Sequence, residues 1–138
     1  MDVPDYVFHE ASPPDRWTVQ QAEGTVWVAQ DAGGELVAFL AATRHGDRLH
    51  IDEFDVVQTA QGKGLGRRML NLVIDSARRA GLAALSLTTF RSVPWNAPFY
   101  ASCGFDLWEG GFPPDVADAI ADEAARGLTD RCAMRLVL

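Results

Sequence analysis

Residues 56–70 read VVQTAQGKGLGRRML, which joins an apolar strand end, a glycine-dense turn and the first turn of a helix. Gly62, Gly64 and Gly66 occupy alternate positions, so few side chains separate the turn from a ligand. Several N–H groups can therefore converge on one point, where the helix N-terminus adds its partial positive charge. The stretch predicts an anion-binding turn that holds a phosphate group.

Two familiar phosphate-binding motifs do not match this turn. A Walker loop requires four residues between its first glycine and a Gly-Lys pair, with Ser or Thr after the lysine, whereas Lys63 is followed by Gly64. A dinucleotide-binding turn requires Gly-x-Gly-x-x-Gly, and Arg67 stands in place of the third glycine. The motif therefore indicates another class of phosphate-containing ligand.

The segments before the turn predict an antiparallel meander. Residues 25–30 and 35–43 are apolar, strand-like runs, and the glycine-containing connection 31–34 between them is typical of a hairpin. A second turn at 45–47 leads into a third strand over 48–57. This last strand ends at the glycine turn.

The segments after the turn predict a parallel crossover. From 66 to 80, apolar residues recur every three or four positions, which indicates an amphipathic helix, and Gly81 stands where a helix-terminating glycine belongs. A buried strand over 82–89 follows, and such a strand–helix–strand unit connects parallel strands by a right-handed crossover. The other predicted elements are a short helix with Asn96 as N-cap and Gly104 at its end, a loop at 110–114, a helix over 115–126 and a strand over 131–138.

Composition indicates one globular domain spanning residues 1–138. The net charge of −7 argues against a nucleic-acid partner, because phosphate neutralisation needs a basic surface. No apolar run approaches the roughly 20 residues that span a bilayer, and the acidic start lacks a secretion signal, so we expect a cytoplasmic protein that is not membrane-bound. Cys103 and Cys132 lack metal-ligand spacing, so we expect reduced thiols and no metal.

A second motif makes the first one specific. The pattern Asn-x-x-Phe-Tyr-x-x-x-Gly-Phe occupies residues 96–105, one helix and one strand after the turn. Together with Gln61-x-x-Gly64-x-Gly66, preceded by EFDV at 53–56, it resembles the GCN5-related N-acetyltransferases, the GNAT superfamily, over about residues 25–105. The resemblance implies an α/β (α+β) GNAT fold, with a mixed central sheet, an antiparallel meander and a parallel β-α-β cofactor-binding crossover.

The first 24 residues match the family least. Pro4, Pro13 and Pro14 interrupt this region, and Asp15 is a candidate cap for a short helix that reaches Glu23. The family usually has a strand and two helices ahead of the hairpin, and this region looks too short for all of them. We therefore expect an irregular helical arm and a shortened N-terminal region.

By resemblance, the chain moves an acetyl group from acetyl-CoA to a primary amine of a small molecule or peptide, directly within a ternary complex. Backbone amides near Phe54 and Val56 are expected to hold the pantetheine and polarise the thioester carbonyl, while those of the turn hold the pyrophosphate. Lys63 and Arg67 gain a role there as counter-charges. The resemblance assigns these residues to the cofactor: Phe54, Val56, Gln61, Gly62, Lys63, Gly64, Leu65, Gly66, Arg67, Asn96 and Phe99.

Amide formation requires a base for the amine proton and an acid for the leaving thiolate. By resemblance Tyr100, one helical turn after Asn96, is the acid; otherwise it is a core aromatic with a satisfied hydroxyl. Glu53 matches a glutamate of the family and is the expected base, acting through water, although strand alternation places Asp55 on the same face. His50 is a further candidate because its pKa suits the task, against a role as a solvated or capping residue. In some relatives water alone carries the proton.

Three further points stay open at this level. Trp95, Trp108 and Phe112 either line an acceptor pocket or fill the core, with Trp108 the expected core residue and Phe112 the expected pocket wall. The acidic helix over 115–126 faces either a partner subunit or a cationic amine, and an uncovered sheet edge predicts a homodimer. The rival function is a non-catalytic acyl-CoA-binding module, which needs the anion-binding turn but no acid such as Tyr100.

Overall fold

The computed structural model describes residues 7–10 and 18–138, which form a mixed α/β structure. A 3₁₀ turn, Gln58–Ala60, separates the fourth strand from the second helix. The strands are β1 (Val7–Glu10), β2 (Val26–Gln30), β3 (Leu36–His45), β4 (Arg48–Val56), β5 (Ala84–Phe90), β6 (Asp106–Trp108) and β7 (Arg131–Val137). The helices are α1 (Thr18–Ala22), α2 (Leu65–Arg79), α3 (Ala97–Ser102) and α4 (Pro114–Ala125).

One seven-stranded sheet has the order β1-β2-β3-β4-β5-β7-β6. Strands β2, β3 and β4 form the predicted antiparallel meander, and β4 pairs with β5 in parallel. Helix α2 makes the crossover between those two strands, and β7 inserts antiparallel between β5 and β6. The mixed sheet with its parallel β-α-β crossover, predicted from the sequence, is confirmed.

The N-terminal prediction is wrong in one respect. Residues 7–10 form a strand that pairs with β2, for example Phe8 opposite Ala29, instead of part of a helical arm. A four-residue edge strand is specified by backbone pairing with its neighbour, and so short an apolar run carries no periodicity that the sequence reveals. The predicted helix over 15–23 is present as α1 within the described residues; residues 1–6 and 11–17 lie outside the described part.

The main apolar core lies on the side of the sheet that α2 covers. Met69, Leu70 and Val73 are fully buried on the predicted apolar stripe of α2 and pack against strand residues such as Leu40 and Leu85. Helix α3 joins the same core. None of the helices in residues 7–10 and 18–138 has the length and apolarity that a bilayer-spanning helix needs.

The opposite side of the sheet, covered by α4, is held by buried ion pairs. Arg48 donates to Asp115 at 2.6 Å, and Arg131 donates to Glu123 at 2.6 Å. Glu123 also accepts a hydrogen bond from Thr88 on β5 at 2.8 Å. Two of the acidic residues predicted to face a partner or an amine therefore face the sheet instead, where they fasten α4 to β4, β5 and β7.

His50 lies buried within this polar layer and is neither solvated nor a cap. Ser86 Oγ accepts a hydrogen bond from Arg48 at 2.6 Å and lies 2.8 Å from His50 Nδ1. His50 Nδ1 and Ser86 Oγ therefore share a hydrogen bond, in which the serine donates when the imidazole proton is on Nε2 and accepts when it is on Nδ1. Burial, the dominant cause, lowers the pKa of His50 to about 4. In the part of the chain that the structure describes, no group of His, Cys, Asp or Glu side chains is suited to a metal ion.

Removal of the Glu123 carboxylate should destabilise the protein far more than removal of an exposed one on the same helix. The Glu123 and Arg131 side chains are 8% and 19% exposed, so Glu123→Ala leaves a largely buried guanidinium unpaired, at a cost of about 3 kcal/mol. Asp122 pairs with Arg126 with both side chains more than 60% exposed, and Asp122→Ala should cost under about 0.5 kcal/mol. Urea unfolding measures both; equal losses would show that the buried pair does not fasten α4.

Neutral His50 should make stability depend on pH. The pKa of His50 is about 4 in the folded protein, below the value of 6.5 in the unfolded chain. The contribution of neutral His50 to the free energy of unfolding is therefore complete above pH 6.5 and is lost as the pH falls toward 4. Between pH 7 and 5 the wild type should lose about 2 kcal/mol more unfolding free energy than His50→Gln. His45→Gln, which alters a more exposed ring, is the control. Parallel pH profiles for wild type and His50→Gln would contradict this expectation.

Candidate active site

The glycine turn has the geometry of an anion-binding loop. Gly62 and Gly64 have φ angles of +77° and +78°, which residues with a Cβ rarely adopt, and Gly64 is the N-cap of α2. The first helical hydrogen bond runs from Arg68 N–H to Gly64 C=O at 3.0 Å. The N–H groups of Leu65 and Gly66 precede this bond, so they have no intrahelical acceptor and are available to an anion.

A pocket of about 550 Å³ extends from this turn to α3. Every residue assigned to the cofactor from the sequence lines it except Lys63, which is exposed outside the lining. The remaining lining residues are Asp55, Ala60, Trp95 and Tyr100. The two sequence motifs, thirty residues and more apart in sequence, thus form one cavity.

Gly66 lies where three elements meet at the pocket. A Cβ placed at Gly66 would lie 3.7 Å from atoms of Phe54, Val56 and Phe99. These side chains come from β4 and α3, while Gly66 belongs to the first turn of α2. A methyl group at Gly66 would make ordinary van der Waals contacts there, whereas a longer side chain would compete for the space between β4, α2 and α3.

The sheet opens at the pocket. Strands β4 and β5 pair only from Arg48–Ala84 to His50–Ser86. Beyond that point β4 continues to Val56 along β3, and β5 continues to Phe90 along β7. Their facing edges no longer bond to each other, and a ligand that lies between them can accept or donate backbone hydrogen bonds.

A β-bulge sets the side chains of β4 at this opening. Ala41 pairs with Glu53 and Ala42 with Ile51, which leaves Asp52 as the extra residue. Phe54 consequently packs against the α2-side core, as Ile51 does. Its neighbours Glu53 and Asp55 alternate to the other side, as the strand pattern predicts.

Tyr100 is buried beside the pocket with its ring edge-on to Phe99 and Phe105, at centroid distances of 5.3 and 5.8 Å. Burial, with smaller contributions from Cys103 and Asp55, raises the pKa of the phenol well above its usual range. Its hydroxyl has no hydrogen-bond partner among the described residues, unlike that of a core tyrosine whose hydroxyl is satisfied. A phenol that keeps its proton has a hydrogen available for a ligand in the pocket.

Asn96 occupies the predicted N-cap position of α3, but its side chain makes no capping hydrogen bond. Its Nδ2 lies 3.4 Å from the Trp95 carbonyl oxygen, a long contact, and the residue lines the pocket. The capping prediction is therefore wrong for the side chain. Asn96 lines the pocket, and its side-chain amide carries both a donor and an acceptor.

Arg67 is held by α3 and does not point freely into the pocket. Its guanidinium donates to Ser102 Oγ at 2.7 Å and to the Ser102 carbonyl at 3.2 Å, and it lies 5.8 Å from the Phe99 ring. It thereby joins the start of α2 to the end of α3. Lys63 lies outside the lining, so the positive potential for an anion comes from the Arg67 guanidinium, the backbone amides and the α2 N-terminus.

The three candidate bases occupy different environments. His50 has its Nδ1 engaged by Ser86 and a pKa of about 4, which makes it a poor base near neutral pH. Glu53 is partly buried on β4 outside the pocket lining, whereas Asp55 is exposed and lines the pocket.

The aromatic residues left open by the sequence separate into two groups. Trp95 lines the pocket and is 73% exposed. Trp108 and Phe112 are both partly buried and pack edge-on at 5.5 Å, outside the pocket lining. The sequence left Trp95 open between a pocket wall and the core, and it lines the pocket formed by the residues assigned to the cofactor. Its place directly before Asn96 in the second motif was the available signal for that pocket.

Comparison with known proteins agrees with this geometry. The model of the acetyltransferase (GNAT) family matches residues 2–105. An IAA acetyltransferase from Bacillus cereus is similar over 97% of this chain and 100% of its own, with a TM-score of 0.70 and 18% identity. The ribosomal-protein-S18-alanine N-acetyltransferase from Escherichia coli is similar over 96% of this chain and 94% of its own, with a TM-score of 0.69 and 19% identity.

A longer protein shares the fold as well. N-acetylglutamate synthase from Neisseria gonorrhoeae, in complex with coenzyme A and N-acetyl-glutamate, has a TM-score of 0.71 and 18% identity over 97% of this chain. This chain spans 35% of that protein's length. With the glycine turn, the opened sheet and a family match over residues 2–105, the chain belongs to the GNAT acetyltransferase family.

Proposed function

We propose that the chain is an acetyl-CoA-dependent N-acetyltransferase that acetylates a primary amine of a small molecule or peptide by direct transfer in a ternary complex. The observation that carries this proposal is a single pocket that joins the amide-rich turn, the opened edge of β4 and the Tyr100 hydroxyl. Acetyl-CoA supplies an activated acetyl thioester. Family membership supports acyl-CoA chemistry, and the amine acceptor is the finer part of the proposal.

The binding half of the mechanism rests on backbone groups. The N–H groups of Gly62 through Arg67 hold the pyrophosphate, because the start of α2 offers unpaired donors and a favourable dipole. The free edge of β4 near Phe54 and Val56 holds the pantetheine and donates to the thioester carbonyl oxygen. Asn96 and Phe99 complete the wall from α3.

The chemical half rests on two proton transfers. The Tyr100 hydroxyl, which is neutral at working pH, protonates the departing thiolate, and the resulting phenolate recovers a proton from water. A carboxylate of β4 takes the amine proton through water. Glu53 stays the proposed base, and Asp55, which lines the pocket, is the second carboxylate able to serve.

The rival function, a non-catalytic acyl-CoA-binding module, requires the anion-binding turn but no proton donor. A thiol-release assay with acetyl-CoA and a panel of primary amines separates the two functions. Amine-dependent release of free thiol supports the enzyme. Tight CoA binding by calorimetry, together with thiol release that no amine accelerates, would support the binding module instead.

The predicted homodimer stays a prediction. Asp118 and Asp122 are exposed on α4 and remain able to face a partner subunit or a cationic amine. Asp115 does not, because it accepts from Arg48, whose hydrogen bond and charge lower the pKa of its carboxyl although burial acts in the opposite direction.

Replacement of Tyr100 by Phe should lower turnover without weakening coenzyme binding. The ring contacts with Phe99 and Phe105 are kept and only the hydroxyl is lost, so kcat should fall about 10²–10⁴-fold while the CoA affinity changes less than about twofold. Steady-state thiol release gives kcat, and calorimetry gives the affinity. Unchanged kcat would assign Tyr100 to packing and leave water as the acid.

A further inference from the structure

Trp95 is the most exposed of the large apolar side chains that the structure describes, at 73%. It nevertheless lines the pocket together with Asn96, Phe99 and Tyr100. An indole this exposed adds little to folding, because its apolar surface stays in water. Trp27, by contrast, is buried in the core. The position of Trp95 therefore needs an explanation outside the stability of the fold.

The loop that carries Trp95 has a fixed conformation at both ends. Asn96 N–H donates to the Val93 carbonyl at 2.9 Å, which closes a four-residue turn with Pro94 at its second position. Proline restricts its own φ and the backbone of Val93, so this turn is conformationally narrow. At the other end, Arg91 N–H donates to the Asp130 carbonyl at 2.6 Å.

Asp130 is the anchor of this loop. Its carboxylate accepts two hydrogen bonds from Ser92, one from the backbone N–H and one from the hydroxyl, each at 3.0 Å. Its own φ is +58°, and it is the one non-glycine residue with a positive φ in the described ranges. Such a conformation persists where surrounding contacts enforce it, and it concentrates at functional sites.

We propose that Trp95 is a coenzyme-binding residue whose indole packs against the pantetheine arm of acyl-CoA. We propose further that Asp130 is the residue that positions the loop of Trp95 for this contact. This inference rests on the proposed function. The pyrophosphate is assigned to the turn before α2 and the sulfur to Tyr100. Trp95 lies directly before Asn96, the N-cap of α3, and lines the same cavity as the turn and Tyr100, so its indole borders the arm that connects those two points.

The chemistry of the arm suits this wall. Pantetheine is a largely aliphatic chain with two amides, and an indole offers a broad apolar face with one N–H donor. Because the backbone around Trp95 is already fixed and the indole is exposed, burial by a ligand gains apolar contact and costs only the ordering of one side chain. Loss of the indole in Trp95→Ala should raise the Kd for CoA and the KM for acetyl-CoA roughly ten- to fifty-fold.

Tryptophan fluorescence tests the contact directly. The chain has four tryptophans, so wild type is compared with Trp95→Phe and with Trp108→Phe as the matched control outside the pocket. Saturating CoA should protect the emission of wild type and Trp108→Phe from acrylamide quenching. Trp95→Phe should show no such protection. Equal protection in Trp95→Phe would overturn the proposal.

A fragment of the coenzyme locates the contact. Adenosine 3′,5′-bisphosphate carries the nucleotide half without pantetheine, and calorimetry establishes the concentration at which it saturates the protein. If Trp95 contacts the pantetheine arm, this fragment should leave the acrylamide quenching of Trp95 unchanged. Protection equal to that given by CoA would place Trp95 against the nucleotide and contradict the assignment.

Variants of Asp130 test its positioning role. Asp130→Asn keeps a side chain that tolerates positive φ and can still accept from Ser92, so it should retain the protection of Trp95 and a KM within about threefold of wild type. Asp130→Gly keeps the backbone conformation but loses the carboxylate. It should raise the KM for acetyl-CoA several-fold, leave kcat within about twofold and reduce the protection. An equal KM for acetyl-CoA and equal protection in the two variants would show that the Asp130 carboxylate does not position Trp95.

Two different results would contradict the proposed function and the assignment of Trp95. If wild type binds no CoA in calorimetry, the proposed function is wrong, and the assignment of Trp95 to the coenzyme is wrong as well. If wild type binds CoA and releases thiol with an amine, but Trp95→Ala shows an unchanged KM and Trp95→Phe an unchanged protection, only the assignment of Trp95 is wrong.

Discussion

The structure depends on how the chain turns from β4 into α2. Gly62 and Gly64 adopt left-handed backbone conformations there, so the chain reverses tightly and the first N–H groups of α2 are directed to one point. No side chain could supply this geometry, because a fixed array of amides requires the backbone itself to approach the ligand. The apolar stripe of α2 then secures the turn, since Met69, Leu70 and Val73 are fully buried against the sheet.

The second constraint is the separation of β4 from β5. Their pairing ends at His50 and Ser86, where the layer of Arg48, Ser86 and Asp115 under α4 is completed. The two sides of the sheet therefore stabilise different elements. The apolar side fixes the turn, α3 and Tyr100, while the polar side holds α4 and keeps His50 neutral by burial. The pocket lies where the two strands have separated and the amide-rich turn begins.

The sequence predicted the central elements because their signals are local. Alternating apolar runs, the periodicity of α2 and two motifs with fixed spacing were sufficient for the mixed sheet and for most of the pocket lining. Strand β1 was missed because four residues at a sheet edge depend on pairing with a distant strand. The inward direction of Asp115 and Glu123 was missed because their partners, Arg48 and Arg131, come from other elements. The contact between Ser92 and Asp130, which anchors the loop before Trp95, also joins residues 38 positions apart, and no local pattern reveals it.

The central claim is that the backbone amides between Gly62 and Arg67 hold the pyrophosphate of the coenzyme. The most direct measurement is a titration of ¹⁵N-labelled protein with CoA, followed through the backbone amide resonances. We expect the amide resonances of Gly62 through Arg67 to shift most, and adenosine 3′,5′-bisphosphate to shift them in the same direction. If CoA binds while these amides keep their positions and the largest shifts fall elsewhere, the anion-binding turn is not the coenzyme site.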